Sequence, residues 1–354
     1  MGDAHGAPFF LSDARDLSAI PDEGIDLVVT SPPYPMIAMW DGLFAGLSAG
    51  ARLALDREDG PAAFDAMHEA LDPVWRGLYR VLRPGGLACI NIGDATRTLG
   101  DEFRLYPNHA RVLAAALKIG FTILPAILWR KQTNAPNKFM GSGVLPAGAY
   151  VTLEHEFILI LRKGNKRAFH APSEQAGRRS SALFWEERNV WFSDVWMDLK
   201  GARQNGLDPS VRKRSGAFPF NLAFRLVNMF SVKGDTVLDP FLGTGRTTVA
   251  AMAAGRNSVG FEIDPAFGPT IEAQAMSAAD LANRCREERL ENHFEFVRRR
   301  GEAGHPCRHV NVHYGFPVVT RQETELCLDR VVEVRRTGDQ AFQVTYDPRH
   351  VPAV

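Results

Sequence analysis

The sequence predicts an α/β protein built on a mostly parallel sheet, and three observations carry that prediction. Continuous apolar runs at residues 25–29 and 157–161 read as strands buried on both faces, not as the alternating strands of a one-sided sheet. Between such runs lie segments with helical spacing, the clearest being Phe64, Met67, Leu71, Val74, Trp75, Leu78, Val81 and Leu82. Residues 235–262 read as strand, glycine-rich turn, helix and strand, the unit from which parallel sheets are assembled.

The 354-residue chain is 45% hydrophobic and 23% charged, ordinary for a globular protein and long enough for one large α/β domain with additions or for two domains. Its 41 Lys and Arg balance 41 Asp and Glu, so any site for a polyanion must arise from local charge segregation. Cys89, Cys285, Cys307 and Cys327 form no C-x-x-C pair and read as reduced thiols of a cytoplasmic protein. Residues 1–8 lack the basic-then-apolar pattern of a secretory signal. No stretch approaches the ~20 apolar residues of a membrane helix.

In chain order, residues 9–11 form a short strand that runs into Ser12-Asp13, and the strand at 25–29 runs into Ser31-Pro32-Pro33-Tyr34. Residues 36–60 hold many Gly and Ala without a clean period and read as a mobile loop or lid, with a poorly patterned helix as the alternative. The helix through Leu82 stops at Arg83-Pro84-Gly85-Gly86. A strand at 87–92, a helix at 108–118 closed by Gly120, and strands at 121–129 and 157–161 follow. The Gly-, Pro- and Asn-rich stretch 131–150 between the last two is a loop. Beyond it come a helix at 220–230, strands at 235–238 and 257–261, and a long polar helix at about 265–299. Residues 316–320, 330–334 and 342–346 alternate like strands of a small β appendage.

Residues 162–215 differ in character. They carry 12 Lys or Arg against 6 Asp or Glu, with Phe169, Phe184, Trp185, Trp191, Phe192 and Trp196 interleaved. Basic side chains neutralise phosphates and aromatic ones stack on bases or wedge between them. This reads as a nucleic-acid-contacting insert, with Arg178, Arg179, Arg212, Lys213 and Arg214 as candidate contacts. The alternative is a solvated insert with a small aromatic core of its own.

Two loops at strand ends carry the chemistry. The paired prolines of Ser31-Pro32-Pro33-Tyr34 fix φ and lack N–H groups, so this loop can hold acceptors rigidly where open α/β sheets bind ligands. In the second half, Gly243 and Gly245 let backbone approach a ligand at a helix N-terminus, and Glu262 ends the next strand, where a carboxylate can accept both ribose hydroxyls. The third glycine of a dinucleotide fingerprint would fall at Thr248, which disfavours a nicotinamide cofactor. His305, Cys307, His309 and His313 share a face if extended, but odd spacing in a polar stretch arises easily by chance, and no metal is assigned. Asp94 ends a strand and is either a pocket residue or a turn aspartate.

Together these pieces resemble the DNA amino-methyltransferases, which modify N4 of cytosine or N6 of adenine. Ser31-Pro32-Pro33-Tyr34 matches their catalytic motif. Asp239-Pro240-Phe241-Leu242-Gly243-Thr244-Gly245, continued by Thr247 and Thr248, matches the cofactor motif, and Val259-Gly260-Phe261-Glu262 the acidic motif after it. Residues 9–13 fit the segment whose aspartate, here Asp13, approaches the cofactor adenine, and Ala217-Phe218-Pro219-Phe220 fits the motif upstream of the cofactor loop. Arg246 departs from the family, which usually has Thr or Ser there. The catalytic motif precedes the cofactor motif, as in the circularly permuted β group.

The resemblance implies a Rossmann-like methyltransferase fold with S-adenosyl-L-methionine as cofactor and double-stranded DNA as partner. It divides the chain into a catalytic half at 1–165, a target-recognition insert at 166–215, a cofactor half at 216–265 and an extension of helix and small β at 266–354. A companion restriction endonuclease is compatible with it. The Ser31 hydroxyl and Pro32 carbonyl would hold the amine protons as the nitrogen becomes tetrahedral, and Tyr34 would stack on a base flipped out of the duplex. Serine at position 31 goes more often with N4-cytosine than with N6-adenine. The C5-cytosine route needs a Pro-Cys nucleophile in the catalytic loop, whereas Pro306-Cys307 lies in the tail. The competing readings are an N6-adenine enzyme, a catalytically inactive DNA-binding protein of the same fold, a nicotinamide oxidoreductase, and an enzyme acting on RNA.

Overall fold

The computed structural model describes residues 4–131, 141–201, 216 and 218–347. Strands β1 (Ala4–Leu11) and β2 (Ile25–Thr30) come first, followed by helices α1 (Asp41–Leu47), α2 (Ala49–Asp56) and α3 (Gly60–Val81). The stretch read as a mobile lid is therefore helical. Its missing period reflects two short helices of seven and eight residues; the second is started by Ser48, which accepts from the Ala51 amide, and Asp59 then caps the long α3 by accepting from the Ala62 amide. Phe44, Ala51 and Ala54 supply the buried face.

Next come β3 (Leu82–Ile92), a hairpin of β4 (Ala95–Leu99) and β5 (Glu102–Tyr106), α4 (Asn108–Ile119), β6 (Phe121–Arg130) and β7 (His155–Lys163). The basic insert holds α5 (Pro172–Ser180), α6 (Trp185–Trp191) and β8 (Val195–Trp196). The cofactor-motif half consists of α7 (Phe220–Phe230), β9 (Thr236–Asp239), α8 (Arg246–Ala253) and β10 (Asn257–Glu262). The tail contains α9 (Gly268–Met276), α10 (Ala278–Glu302), the short pair β11 (His309–Val310) and β12 (Pro317–Val318), and the hairpin β13 (Arg330–Gly338) and β14 (Ala341–Asp347). The long polar helix of the sequence reading is broken at Ser277.

One ten-stranded sheet runs in the order β13-β14-β1-β10-β9-β2-β3-β7-β6-β8. Its centre, from β1 to β3, is parallel throughout, as the continuous apolar runs require. β2 and β9 pair through Leu27 with Val237 and Val28 with Leu238, so motifs more than 200 residues apart leave the sheet side by side. One face is covered by α7 and α8 with α10, the other by α3 and α4 with the two short helices. The terminal hairpin, read as an appendage, instead continues the main sheet: β14 pairs antiparallel with β1 from Ala4 to Pro8. This pairing covers what would otherwise be an exposed edge of β1.

The aromatic insert is also different from its sequence reading. Phe184, Trp191 and Trp196 are buried. Phe184 stacks on His293 with ring centroids 4.0 Å apart and shares a small core with Leu290, Phe316, Val318, Leu326 and Leu328. The Trp196 indole donates to the Trp191 carbonyl at 2.9 Å. Arg289 forms a two-pronged ion pair with Glu187 at 2.6 and 2.8 Å. Phe184 packs the insert against the tail, while Trp191 and Trp196 join the main core, Trp191 beside Phe224; Trp185 and Phe192 stay exposed.

Candidate active site

The parallel strands end on one side of the sheet, so the loops after β1, β2, β9 and β10 converge there. They wall a cavity of about 750 Å³, within the range of small-molecule sites. Ser31, Pro32, Pro33 and Tyr34 line it, and so do Asp13, Phe218, Asp239, Pro240, Phe241, Gly243 and Glu262. Gly245, Thr247 and Thr248 do not line it. They belong to the packed start of α8, where Thr247 and Thr248 are 1% and 4% exposed. Gly245 has φ +83° and begins α8 from a left-handed conformation that a side chain would strain.

The loop after β2 is held by distant residues. The Tyr34 hydroxyl lies 3.0 Å from Ser31 Oγ, 2.9 Å from Glu156 Oε2 and 2.8 Å from Asn91 Nδ2. Burial, reinforced by the Glu156 charge, pushes the phenol well above its ordinary pKa. Lys131 pairs with the other oxygen of Glu156. One turn further, the Asn108 amide donates to the carbonyls of Pro35 at 3.0 Å and Gly93 at 2.9 Å while its oxygen meets His68 Nε2 at 2.9 Å. Burial lowers the His68 pKa to about 4, so its ring is neutral at pH 7. Met36, buried at φ +66°, shows that this backbone is forced by its surroundings. Asp94, left open between pocket and turn, accepts from the ring and amide of His109 at 2.8 and 3.1 Å, as a turn residue that caps α4.

The loop after β9 is held mostly by its own residues. Gly245 N donates to the Leu242 carbonyl at 3.0 Å and Phe241 N to Asp239 Oδ1 at 3.1 Å. Gly243 N and Asp264 N donate to the two oxygens of Glu262 at 2.8 and 2.9 Å. A Cβ on Gly260 would stand 2.4 Å from Leu242 Cδ2, so glycine lets this loop rest on β10. Burial raises the Glu262 carboxyl above its ordinary value. One side chain joins the two loops: Asp239 accepts from Thr30 Oγ1 and Thr247 Oγ1, each at 2.6 Å, inside the sheet. Burial raises its pKa to about 6 against the pull of those hydrogen bonds.

A model of the N6/N4 DNA methylase family matches residues 25–272, which includes both loops. The chain belongs to this family. It is similar to the Type II methyltransferase M.MthZI of Methanothermobacter thermautotrophicus, 47% identical over 338 residues, 95% of this chain and 94% of the relative. M.MjaI, a Type II methyltransferase of Methanocaldococcus jannaschii, is 49% identical over 271 residues, 73% of this chain and 88% of that one. Among solved structures, a Thermus thermophilus protein assigned as a DNA modification methylase, complexed with S-adenosyl-L-methionine, aligns with a TM-score of 0.59 at 31% identity, covering 76% of this chain and 94% of its own.

The methyltransferase acts on DNA amines with S-adenosyl-L-methionine as cofactor, and the cavity fits that molecule. Glu262 has acceptor capacity beyond its two backbone bonds. The Thr244 hydroxyl, on the cavity wall, is buried without a hydrogen-bond partner among the described residues. Arg246 also faces the cavity, has no acidic partner among the described residues, and has its pKa lowered by burial. The sequence reading missed Asn91, Lys131, Glu156 and Asn108, which carry no local motif. Of the basic candidates, Arg178 is exposed with its guanidinium 4.9 Å from the Phe169 ring centre, and Arg179 is ion-paired to Glu325 at 2.9 Å. Arg212, Lys213 and Arg214 lie outside the described residues. Among those described, no group of three or more His, Cys, Asp or Glu could hold a metal, and no helix is long and apolar enough to cross a membrane.

Proposed function

We propose that the enzyme methylates N4 of cytosine within a specific sequence of double-stranded DNA, with the target base flipped into the cavity. The observation that carries the cytosine reading is Ser31: the acceptor on the cavity wall is a short hydroxyl and not the longer carboxylate or amide that goes with adenine. Bound S-adenosyl-L-methionine supplies an electrophilic methyl group. The protein's part is to position the amine and receive its protons. Ser31 Oγ and the Pro32 carbonyl accept from the amine, the Pro32-Pro33 pair keeps those acceptors fixed, and the Tyr34 ring packs on the base.

On this reading Asp13 and Phe218 flank the cofactor adenine, Glu262 takes the ribose hydroxyls, and Asp239, Pro240, Phe241, Gly243 and Gly245 shape the loop beneath it. Thr247 and Thr248 act from behind, and Arg246 faces the methionine carboxylate. Arg178 and Arg179, with Arg212, Lys213 and Arg214, neutralise DNA phosphates. The proposed division is 1–165 and 216–265 as the two halves of a circularly permuted β-group catalytic domain, 166–215 for target recognition, and 266–354 as its packing support. Because two relatives are named Type II methyltransferases, a companion restriction endonuclease of the same specificity in the same cytoplasm completes the proposal.

The test is expression in a host without native modification, followed by genome-wide mapping that separates N4-methylcytosine from N6-methyladenine. N4-methylcytosine at one recurring sequence, absent with Ser31→Ala, is expected. N6-methyladenine alone would overturn the cytosine assignment.

A further inference from the structure

Ser31, Tyr34, Asn91 and Glu156 come from three strand ends and form one chain of hydrogen bonds whose directions can be read. A carboxylate only accepts, and an amide nitrogen only donates. The Tyr34 oxygen therefore receives from Asn91 Nδ2, and its single proton goes to Glu156 Oε2. Asn91 Nδ2 also reaches Glu156 Oε2 at 2.7 Å; turning the amide would set its oxygen against the carboxylate. With Tyr34's proton committed, Ser31 must donate its own to Tyr34. The Ser31 oxygen thus keeps its lone pairs for a donor in the cavity it lines.

We propose that Glu156 is the terminal proton acceptor of methyl transfer, reached from the substrate amine through the Ser31 and Tyr34 hydroxyls. The proposal rests on the amine-methylation reading and adds to it where the proton goes. A methylated exocyclic amine carries one proton too many. As its N–H bond breaks, an O–H bond forms at Ser31, the Ser31 proton passes to Tyr34, and the Tyr34 proton passes to Glu156 Oε2. Both hydroxyls are regenerated, the nitrogen ends neutral and Glu156 ends as the acid, with no further reactant. A concerted path avoids leaving a cation in a partly dry pocket.

The surroundings suit this role. Lys131 pairs with Oε1, which leaves Oε2 to Tyr34 and Asn91. The Glu156 side chain is itself 11% exposed, and through that opening the acquired proton returns to water. Tyr34, with its ionisation pushed to high pH, serves as a neutral conduit. Gly93 lies close against this assembly: a Cβ there would stand 3.0 Å from Tyr34 Cε2 and 3.3 Å from Glu156 Cγ. Acting through two other side chains, Glu156 is a positioning residue for the reacting nitrogen.

The experiment measures single-turnover methyl transfer to unmodified genomic DNA in H₂O and D₂O. It compares wild type, Glu156→Gln, Glu156→Asp, Tyr34→Phe and the Glu156→Gln/Tyr34→Phe double variant. Wild type should show a solvent isotope effect. Glu156→Gln and Tyr34→Phe should each slow transfer by roughly 100-fold and lose the isotope effect. The double variant should be no slower than either, and Glu156→Asp should recover part of the rate. With ¹³C-labelled tyrosine, the Tyr34 Cζ resonance should move in Glu156→Gln in the absence of substrate, which reports the coupling independently of activity. Transfer by Glu156→Gln or Tyr34→Phe within about threefold of wild type, or no solvent isotope effect in wild type, overturns the proposal. If Glu156→Gln does not fold, Tyr34→Phe, which removes only one oxygen, decides it. A wild-type protein that transfers no methyl group would instead overturn the reading beneath.

Discussion

The two loops that face each other across the cavity are supported in opposite ways. The loop after β9 is nearly self-sufficient: Asp239, Leu242 and Glu262 satisfy its amides from within the same strand-turn-helix-strand unit. The loop after β2 depends on Asn91, Asn108 and Glu156, which are brought in by β3, α4 and β7. The contrast matches what each loop is proposed to handle. A loop that cradles a cofactor with its backbone can be closed by local glycine geometry, whereas acceptors aimed at one reacting amine need several rigid elements around them. The cofactor loop can thus be altered locally, while the catalytic loop should respond to changes far away in sequence.

The largest expected effect comes from cutting Asp239, the carboxylate that joins the two loops. Asp239→Ala removes the partner of the buried Thr30 hydroxyl and of the Phe241 amide, and leaves the Thr247 hydroxyl only the Val29 carbonyl at 3.4 Å. Loss of ~3 kcal/mol or more in urea unfolding is expected, with methyl transfer down by over ~100-fold. If only cofactor affinity falls and the amine-transfer rate at saturation is retained, the loops are not coupled through this carboxylate. The same group gives a pH signature. Its pKa rises on folding from 3.8 to about 6, so the folded state binds the proton more tightly. That contribution to stability is full below the unfolded value and is lost as pH rises through the folded one. The stability of wild type relative to Asp239→Asn should therefore fall between about pH 4 and 6, by up to ~3 kcal/mol.

A smaller effect, confined to the catalytic side, is expected from Asn108→Ala. The change leaves the Pro35 and Gly93 carbonyls and the His68 ring without their shared partner. Stability should drop by ~2 kcal/mol, and kcat by roughly 10- to 100-fold as the Ser31 acceptors drift. Affinity for S-adenosylhomocysteine, measured by calorimetry, should hold within about twofold. Equal losses in kcat and affinity would erase the distinction between the loops.

This contrast also explains how much was legible in the sequence. The cofactor loop could be read because Gly243, Gly245 and Glu262 sit within one βαβ unit, where spacing alone reports geometry. The catalytic tetrapeptide could be read, but its supports could not: Asn91, Asn108 and Glu156 are single polar residues at element ends, and only the β3–β7 pairing brings two of them together. The parallel centre of the sheet followed from unbroken apolar runs. The helices at 41–56 did not, because they are only seven and eight residues long, too short to show a period, and the second is set by its Ser48 cap. Aromatic residues in the basic insert pointed outward in the sequence reading and inward in the fold, since composition does not say that a tail 100 residues later supplies the partner for Phe184.

Arg246 tests the cofactor side alone. It departs from the family pattern, faces the cavity and has no acidic partner among the described residues. Arg246→Ala should weaken S-adenosylhomocysteine binding by about 10-fold, the scale of one hydrogen bond to a charged group. Binding of methylthioadenosine, which has no carboxylate, should not change. A parallel loss for both ligands would mean that Arg246 shapes the loop and does not meet the carboxylate.

The smallest effect is expected outside both loops. Arg178 and Arg179 are adjacent on α5 but differently engaged. Arg179 is already paired to Glu325 at 2.9 Å, whereas Arg178 lies over the Phe169 ring with no carboxylate partner among the described residues. A phosphate must compete with Glu325 for Arg179 but not for Arg178. Arg178→Ala should therefore weaken DNA binding a few-fold and reduce the slope of log affinity against log salt by about 0.9, the value for one phosphate contact. Arg179→Ala should change the slope less. Neither should alter S-adenosylhomocysteine affinity or the transfer rate at saturating DNA, because neither touches a loop at the strand ends. A transfer rate that falls with either variant at saturation would mean that DNA contact on α5 helps set the catalytic loop, and the remote support of that loop would then extend to the substrate itself.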